Sequence, residues 1–427
     1  MDMSHQKPTR IRVLIVGMLF VTTVINYLDR SSISIAGPFI SKEMGLNSVQ
    51  LGLVFSAFAW AYSPLQIPGS LLVDKLKPRL LYPVIIALWS SMQLMLGFAG
   101  GLWQLFAFRL GLGAAEAPSF PMNNRVVTSW LPERERAMAV GSYVSGQYVG
   151  LAFLTPVLVW LTQDYGWRTM FAVIGAVGIL WALCFWYFYR DPDRSQSAND
   201  AERDLIRQGG GQVEWVGRKT VEGGPAPISA RKAFANRKLW GLLIAHSCET
   251  AANWFFLTWF PTYLVQYRHI AFIKVGFLAT LPFLAAFVGV LLSGFVSDAL
   301  VRRGNSLSLS RKIPIVTGLV LATSIIGANY VDDPNLIIMF MTLAFFGSGL
   351  GAISWSLVSS IAPVHLVGLA SGAFNFVGTS MGITLPLVIG FLVRNGDFSP
   401  ALIFVGSMAG LSAFSYLVII GEVKRVE

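Results

Sequence analysis

The sequence VLIVGMLFVTTVINYLDRSSISIAGP, residues 13–38, is a run of mostly apolar residues interrupted by an acid and a base. An apolar run of 18 or more residues is long enough to cross the hydrocarbon core of a bilayer as a helix. Because this run is too long for the apolar part of a signal peptide, we interpret it as a first membrane span. Asp29 and Arg30 then lie inside the span, where inserting an ionised side chain into the membrane costs about 2.5–3.5 kcal/mol of free energy.

The composition of the whole chain also predicts a membrane protein. Hydrophobic residues make up 54% of the 427 residues, charged residues only 13%, and the mean hydropathy is +0.61. Soluble proteins carry about 25% charged residues because water must wet their surface, so a soluble fold is excluded. The two cysteines, Cys184 and Cys248, lie in apolar stretches and offer neither a disulfide framework nor a metal site.

Twelve apolar segments predict an all-α membrane protein with twelve transmembrane helices in two pseudo-symmetric bundles of six. The predicted spans are 13–38, 48–72, 80–99, 102–130, 136–163, 167–189, 239–265, 272–301, 312–330, 335–360, 364–393 and 399–421. The polar stretch 190–238 predicts a solvated cytoplasmic linker. It joins an N-terminal bundle, 1–189, to a C-terminal bundle, 239–427, and we call these segments the first half and the second half.

The net charge of +10 reflects the orientation of the chain in the membrane. With a cytoplasmic N-terminus, 25 lysines and arginines fall on the predicted cytoplasmic loops and only five on the outer loops. Such a bias predicts that both termini are cytoplasmic. The basic surplus therefore does not indicate a protein that binds nucleic acid.

Four charged residues lie deep inside the predicted spans of the first half: Asp29, Arg30, Arg109 and Glu116. Arg109 and Glu116 share one helix face and are separated by about 10.5 Å along the axis. These groups either form an ion pair that only fixes the packing or exchange partners during transport. Burial raises the pKa of a carboxylate and a neighbouring arginine lowers it, so partner exchange lets a carboxylate bind and release a proton. We expect Asp29 and Glu116 to couple protons and Arg30 to attract an anion.

Polar side chains at similar depth suit a ligand with many hydroxyl groups. Gln147 and Asn375 occupy matching places in the two halves, in the segments QYVG and NFVG. Tyr27, Tyr62, Ser354 and Trp355 lie at similar depth. A lone Ser or Tyr in a span usually forms a hydrogen bond to the backbone or to another helix, so Gln147 and Asn375 are the stronger candidates for contact with a ligand. Glu249 in the seventh span is either a further titrating group or a carboxylate at the membrane boundary.

Several motifs resemble the major facilitator superfamily. The segment GFVSDALVRRG after the eighth span is similar to the loop signature of that family, and RLGLGAAEAP, which starts at Arg109, resembles its span-four motif. The segments INYLDRSSISIA, EAPSFPMNNRVVTSWLPERERA and SGQYVGLAFLTP resemble the anion:cation symporter branch of the family. The resemblance extends over nearly all of the chain except the linker.

The resemblance implies a proton-coupled symporter of the bacterial inner membrane, which we expect to be a monomer. Such a protein imports a small sugar-acid anion, an aldonate such as D-galactonate, by alternating access. The resemblance assigns proton coupling to Asp29 and Glu116, with Arg109 as the partner of Glu116. It assigns substrate binding to Tyr27, Arg30, Tyr62, Gln147, Ser354, Trp355 and Asn375. It implies no cofactor besides the coupling proton, no metal and no nucleic-acid partner, and contact with membrane lipid.

Three other functions stay open at this point. The anion could instead be glucarate, a hexuronate or an aromatic acid. A drug/proton antiporter shares the fold, but GSYVSGQYVG in the fifth span lacks the internal proline expected of that class. An enzyme would need a catalytic constellation, which the polar linker is too short to provide.

Overall fold

The computed structural model describes residues 7–213, 236–363 and 367–425, and every regular element in these ranges is helical. The helices of the first half are α1 Ile11–Met44, α2 Ser48–Lys75, α3 Pro78–Leu96, α4 Leu102–Glu116, α5 Ser119–Trp130 and α6 Glu133–Phe188. The linker contributes α7 Asp200–Gln208, and the second half has α8 Arg237–Thr258, α9 Phe260–Thr262, α10 Phe272–Leu278, α11 Thr280–Arg302, α12 Leu307–Ala322, α13 Pro334–Gly351, α14 Trp355–Ile361, α15 Val367–Leu392 and α16 Ser399–Phe414. Short 3₁₀ or π turns extend several of them, including Ala352–Ser354 and Ser415–Ile419.

Eight of the described helical segments are long and apolar enough to cross a membrane. Large apolar side chains cover the outside of the molecule: Phe98 is 74% exposed, Trp103 70% and Phe295 66%. An apolar surface of this extent is unfavourable in contact with water and favourable in contact with lipid. The chain is therefore a multi-pass membrane protein, as its composition predicted.

Two helix breaks modify the predicted spans. The predicted span 102–130 is interrupted between α4 and α5 at Pro118, because proline has no N–H to donate and its ring clashes with the preceding turn. Helix α6 covers the predicted spans 136–163 and 167–189 and is broken at Gly166, whose φ of 83° and ψ of 157° are non-helical. Both breaks follow from residues that disfavour a continuous helix.

The two halves of the chain meet closely at one end of the molecule. Helix α2 packs on α15 there, and a Cβ atom on Gly52 would lie only 2.5 Å from the carbonyl oxygen of Pro386. Thr262 donates a hydrogen bond to the carbonyl oxygen of Ser34 at 3.1 Å in the same region. Further along the same helices, polar residues of α2 and α15 lie next to one another.

The described part of the linker is folded against the first half, which corrects the expectation of a fully solvated segment. Glu202 of α7 is completely buried and accepts hydrogen bonds from the backbone nitrogens of Ile11 at 3.2 Å and Arg12 at 3.1 Å. A carboxylate at this position stabilises the positive end of the helix dipole of α1 and satisfies N–H groups that have no partner within the helix. Residues 214–235 of the predicted linker lie outside the described residues.

The break at Gly166 predicts a stability difference between two glycine substitutions. Gly166→Ala should lower the free energy of unfolding by about 1–3 kcal/mol, because its φ and ψ lie in a region that essentially only glycine adopts. Gly141→Ala, on an open face of α6, should leave stability unchanged or raise it by up to about 1 kcal/mol, since alanine favours a helix. Denaturant titration in detergent micelles measures both, and equal effects would contradict the prediction.

Candidate functional site

The centre of the first half contains a buried ion pair between helices α1 and α4. The Nε atom of Arg30 donates to Oε1 of Glu116 at 2.6 Å, and a second guanidinium nitrogen of Arg30 also contacts that oxygen. The side chain of Glu116 is completely buried and that of Arg30 is only 7% exposed. Charge-assisted contacts of this kind are strong in a medium of low dielectric constant, so the pair holds the two helices together.

Aromatic rings surround the guanidinium of Arg30. Its central carbon lies 4.8 Å from the ring centre of Tyr27, 5.0 Å from that of Phe58 and 4.6 Å from that of Tyr62. Ring faces attract a cation, by about 2 kcal/mol or more when the site is dry. The ring contacts therefore stabilise the positive charge of Arg30.

Phe58 contacts both arginines of the site, and sequence analysis missed it. Its ring lies 5.3 Å from the guanidinium carbon of Arg109 and 4.9 Å from the ring of Tyr62, which it stacks at an angle of 24°. The four-residue spacing between Phe58 and Tyr62 places both rings on one face of α2. That spacing is the only signal in the sequence, because a phenylalanine inside an apolar span is usually a packing residue.

Arg109 makes no direct ion pair with Glu116 in this conformation, although the two groups interact electrostatically. It donates instead to the backbone oxygen of Asp29 at 3.4 Å. Seven residues along a helix correspond to a rise of about 10.5 Å, too far for a direct bond unless both side chains extend toward each other. Arg30, which lies on α1, forms the ion pair with Glu116 instead.

Asp29 is buried beside this pair. The residue is 1% exposed, and its carboxylate oxygens form no hydrogen bond of normal geometry within the described residues, although the indole of Trp89 and the guanidinium of Arg109 lie nearby. Leaving a buried acid unsatisfied is costly, and such groups in native proteins need an explanation such as a bound proton or ion. The four charged residues predicted from sequence therefore do lie together, with Glu116 paired and Asp29 unpaired.

The predicted binding residues of the second half divide into two groups. Asn375 is partly buried and its Nδ2 atom donates to Oε1 of Gln66 in the first half. Trp355 is 47% exposed, whereas Ser354 is completely buried and contacts Glu249. Asn375 thus faces the first half, and Ser354 belongs to another cluster inside the second half.

A small polar contact joins α2 to α15 around Asn375. The hydroxyl of Ser63 lies 2.8 Å from that of Thr379 and 3.0 Å from that of Ser380, next to the bond between Gln66 and Asn375. Gln147, the counterpart of Asn375, is partly buried on α6. Side-chain hydrogen bonds between neighbouring membrane helices contribute modestly, on average about 0.6 kcal/mol, so the contact is easily exchanged.

Comparison with known proteins agrees with this architecture. A family model described as the Major Facilitator Superfamily matches residues 19–386. A D-galactonate transporter of Escherichia coli O6:H1 is 48% identical, with 98% of each chain covered. A probable galactarate/D-glucarate transporter of Bacillus subtilis is 41% identical, with 98% of this chain and 94% of the relative covered.

Solved structures show the same fold at low sequence identity. A bacterial homolog of the human lysosomal transporter Spinster, in an inward-facing and occupied conformation, superimposes with a TM-score of 0.74 at 18% identity, with 97% of each chain covered. The inward-facing and unoccupied form of that homolog gives a TM-score of 0.73 at 18% identity, over 96% of this chain and 97% of the other.

The ion pair predicts a large loss of stability when one partner is neutralised. Glu116→Gln should lower the free energy of unfolding by about 3 kcal/mol, because Arg30 keeps a buried and unpaired charge. The double variant Arg30→Gln/Glu116→Gln should recover most of that loss. Denaturant titration in detergent micelles provides the measurement.

A surface pair serves as the matched control for this cycle. Asp204→Asn breaks an exposed contact with Arg207 in α7 and should change the free energy of unfolding by less than about 1 kcal/mol. If Glu116→Gln changed stability as little as Asp204→Asn, the ion pair would not hold α1 and α4 together.

Proposed function

The chain belongs to the Major Facilitator Superfamily and is a membrane transporter rather than an enzyme; from that premise we propose that it is a proton-coupled symporter for a sugar-acid anion. It imports the anion across the bacterial inner membrane by alternating access. The observation that carries this proposal is the buried contact between Arg30 and Glu116 beside the unpaired Asp29. This arrangement supplies both an anion-binding cation and exchangeable proton-binding groups.

The substrate is an aldonate such as D-galactonate. The relative at 48% identity is a D-galactonate transporter, which supports this choice. The planar fork of Arg30 fits a carboxylate, while Tyr27, Tyr62, Gln147 and Asn375 offer hydrogen bonds to hydroxyl groups and Trp355 offers a flat apolar face. Galactarate or glucarate is the second candidate, because the relative at 41% identity is a probable transporter of those acids.

The transport fold consists of twelve transmembrane helices in two six-helix bundles. Helical segments lie in the described part of each predicted span, and the bias of lysine and arginine favours both termini in the cytoplasm. Residues 1–189 form the first bundle, 190–238 the cytoplasmic linker and 239–427 the second bundle. The protein acts as a monomer. In this orientation the close contact around Gly52 and Pro386 lies on the outer side, so the described conformation faces inward.

Proton coupling follows from competition for Arg30. When the substrate carboxylate occupies Arg30, Glu116 loses its cation and gains a proton more readily, since a charged carboxylate is disfavoured in a low-dielectric site. Asp29 carries a second proton, and Arg109 keeps the local charge balanced through the cycle. Co-import of more than one proton with each monoanion makes transport electrogenic, so the membrane potential assists uptake.

Uptake into proteoliposomes tests the function. We expect an inward proton gradient to drive accumulation of D-galactonate above equilibrium, and Asp29→Asn and Glu116→Gln each to abolish that accumulation. A panel of aldonates, aldarates, uronates and aromatic acids identifies the preferred anion. Accumulation of a cationic drug with no sugar acid transported would overturn the proposal, and equal uptake with or without a gradient would leave only facilitated diffusion.

The contact between Gln66 and Asn375 predicts that this bond competes with the substrate. Gln66→Ala should lower the Kd of the substrate by about 2- to 10-fold, because one hydrogen bond of about 0.5–1.5 kcal/mol no longer has to be broken. Asn375→Ala should raise the Kd, since it removes the substrate's own partner. Isothermal titration calorimetry on the purified protein distinguishes these opposite shifts, and a weaker affinity in both variants would contradict competition.

A further inference from the structure

The second half contains a buried acid that the proposed coupling groups do not include. Glu249 of α8 is 5% exposed and lies between α8, the turn Ala352–Ser354 and the turn Ser415–Ile419. Tyr416 donates a hydrogen bond to its Oε2 atom at 3.2 Å, and Ser354 donates to its Oε1 atom at 3.4 Å. We call Glu249, His246, Tyr416 and Ser354 the Glu249 cluster.

His246 completes the cluster one helical turn before Glu249. Its Nδ1 atom lies 3.8 Å from Oε2 of Glu249 and is buried with no hydrogen-bond partner among the described residues. The imidazole ring stacks on Phe374 with a centre distance of 3.6 Å and meets the edge of Trp355 at 5.6 Å. Aromatic packing therefore fixes the ring with Nδ1 near the carboxylate.

The surroundings of Glu249 contain few other ionisable groups. Helices α13, α14, α15 and α16 pack around this region without contributing an ionisable side chain. Tyr416 contacts Glu249 directly, Cys248 precedes it on α8, and Tyr148 of the first half lies within its electrostatic range. Tyr27 of α1 interacts with Tyr148, and the charge of Arg30 is directed to Glu116.

These contacts allow the cluster to hold a proton in two places. The hydroxyls of Tyr416 and Ser354 either donate to a carboxylate or accept from a carboxylic acid. A proton at this pair can be carried by the carboxylate of Glu249 or by the imidazole of His246, because Oε2 and Nδ1 lie 3.8 Å apart. Glu116, in contrast, contacts the guanidinium of an arginine, Arg30. The two buried glutamates therefore stand in different electrostatic settings.

We propose that the Glu249 cluster is a second proton-binding site, located in the second half and separate from the site formed by Asp29 and Glu116. The ligand is a proton, which binds the carboxylate of Glu249 with His246 as its neighbouring acceptor. Ser354 links this site to transport, because Trp355 follows it directly and is exposed. Protonation of Glu249 weakens its bond to Ser354 and frees that hydroxyl for the substrate, a consequence that rests on the proposed function.

Infrared difference spectroscopy of the purified full chain tests proton binding without any substrate. Titration with acid should produce a carboxylic acid C=O band that is present in the wild type and absent in Glu249→Gln. The control Glu422→Gln changes an exposed surface acid and should keep the band. His246→Gln should keep the band but shift the pH at which it appears, because the neighbouring acceptor has changed.

The outcomes separate this inference from the proposed function. Spectra of Glu249→Gln that superimpose on those of the wild type throughout the titration would overturn the second site, whether or not a sugar acid is transported. If the band is lost in the variant but wild-type proteoliposomes accumulate no sugar acid, the site stands and the proposed function fails. If both hold, Glu249→Gln should shift the pH dependence of uptake, a change that loss of packing alone would not produce.

Discussion

The structure depends on the constraint that a charge inside the membrane must be compensated within the protein. In the first half, Arg30 meets Glu116 at 2.6 Å across two helices, and no water-facing surface is available to either group. Because breaking such a buried pair is costly, the pair fixes the position of α1 against α4. In the proposed mechanism the same cost links partner exchange to the change of conformation, because each charge that loses its partner needs a replacement.

The aromatic residues around Arg30 make such exchange feasible. Tyr27, Phe58 and Tyr62 stabilise the cation through their ring faces without saturating its hydrogen-bond donors. In the proposed mechanism an incoming carboxylate competes with Glu116 for the guanidinium. The hydrogen bond from Asn375 to Gln66 is also weak. In the proposed mechanism a hydroxylated ligand replaces Gln66 as the partner of Asn375.

The two halves use buried acids in different ways. Glu116 has an arginine as its partner, while the contacts of Glu249 come from a histidine and two hydroxyl groups. In the proposed mechanism the carboxylate opposite Arg30 responds to the arrival of an anion, and the Glu249 cluster adds a second place for a proton in the other half.

The sequence alone determined the membrane class, the positions of most helices and the identity of the four buried charges. The thickness and apolarity of the bilayer set the length and composition of each spanning segment, and both can be read along the sequence. A charged residue inside such an apolar segment is equally easy to identify. The partner of Glu116, the role of Phe58, the burial of Ser354 and the docking of α7 through Glu202 were decided only by tertiary structure. Each depends on which helix faces carry side chains toward one another across the fold, and periodicity along a single helix contains no information about its neighbours.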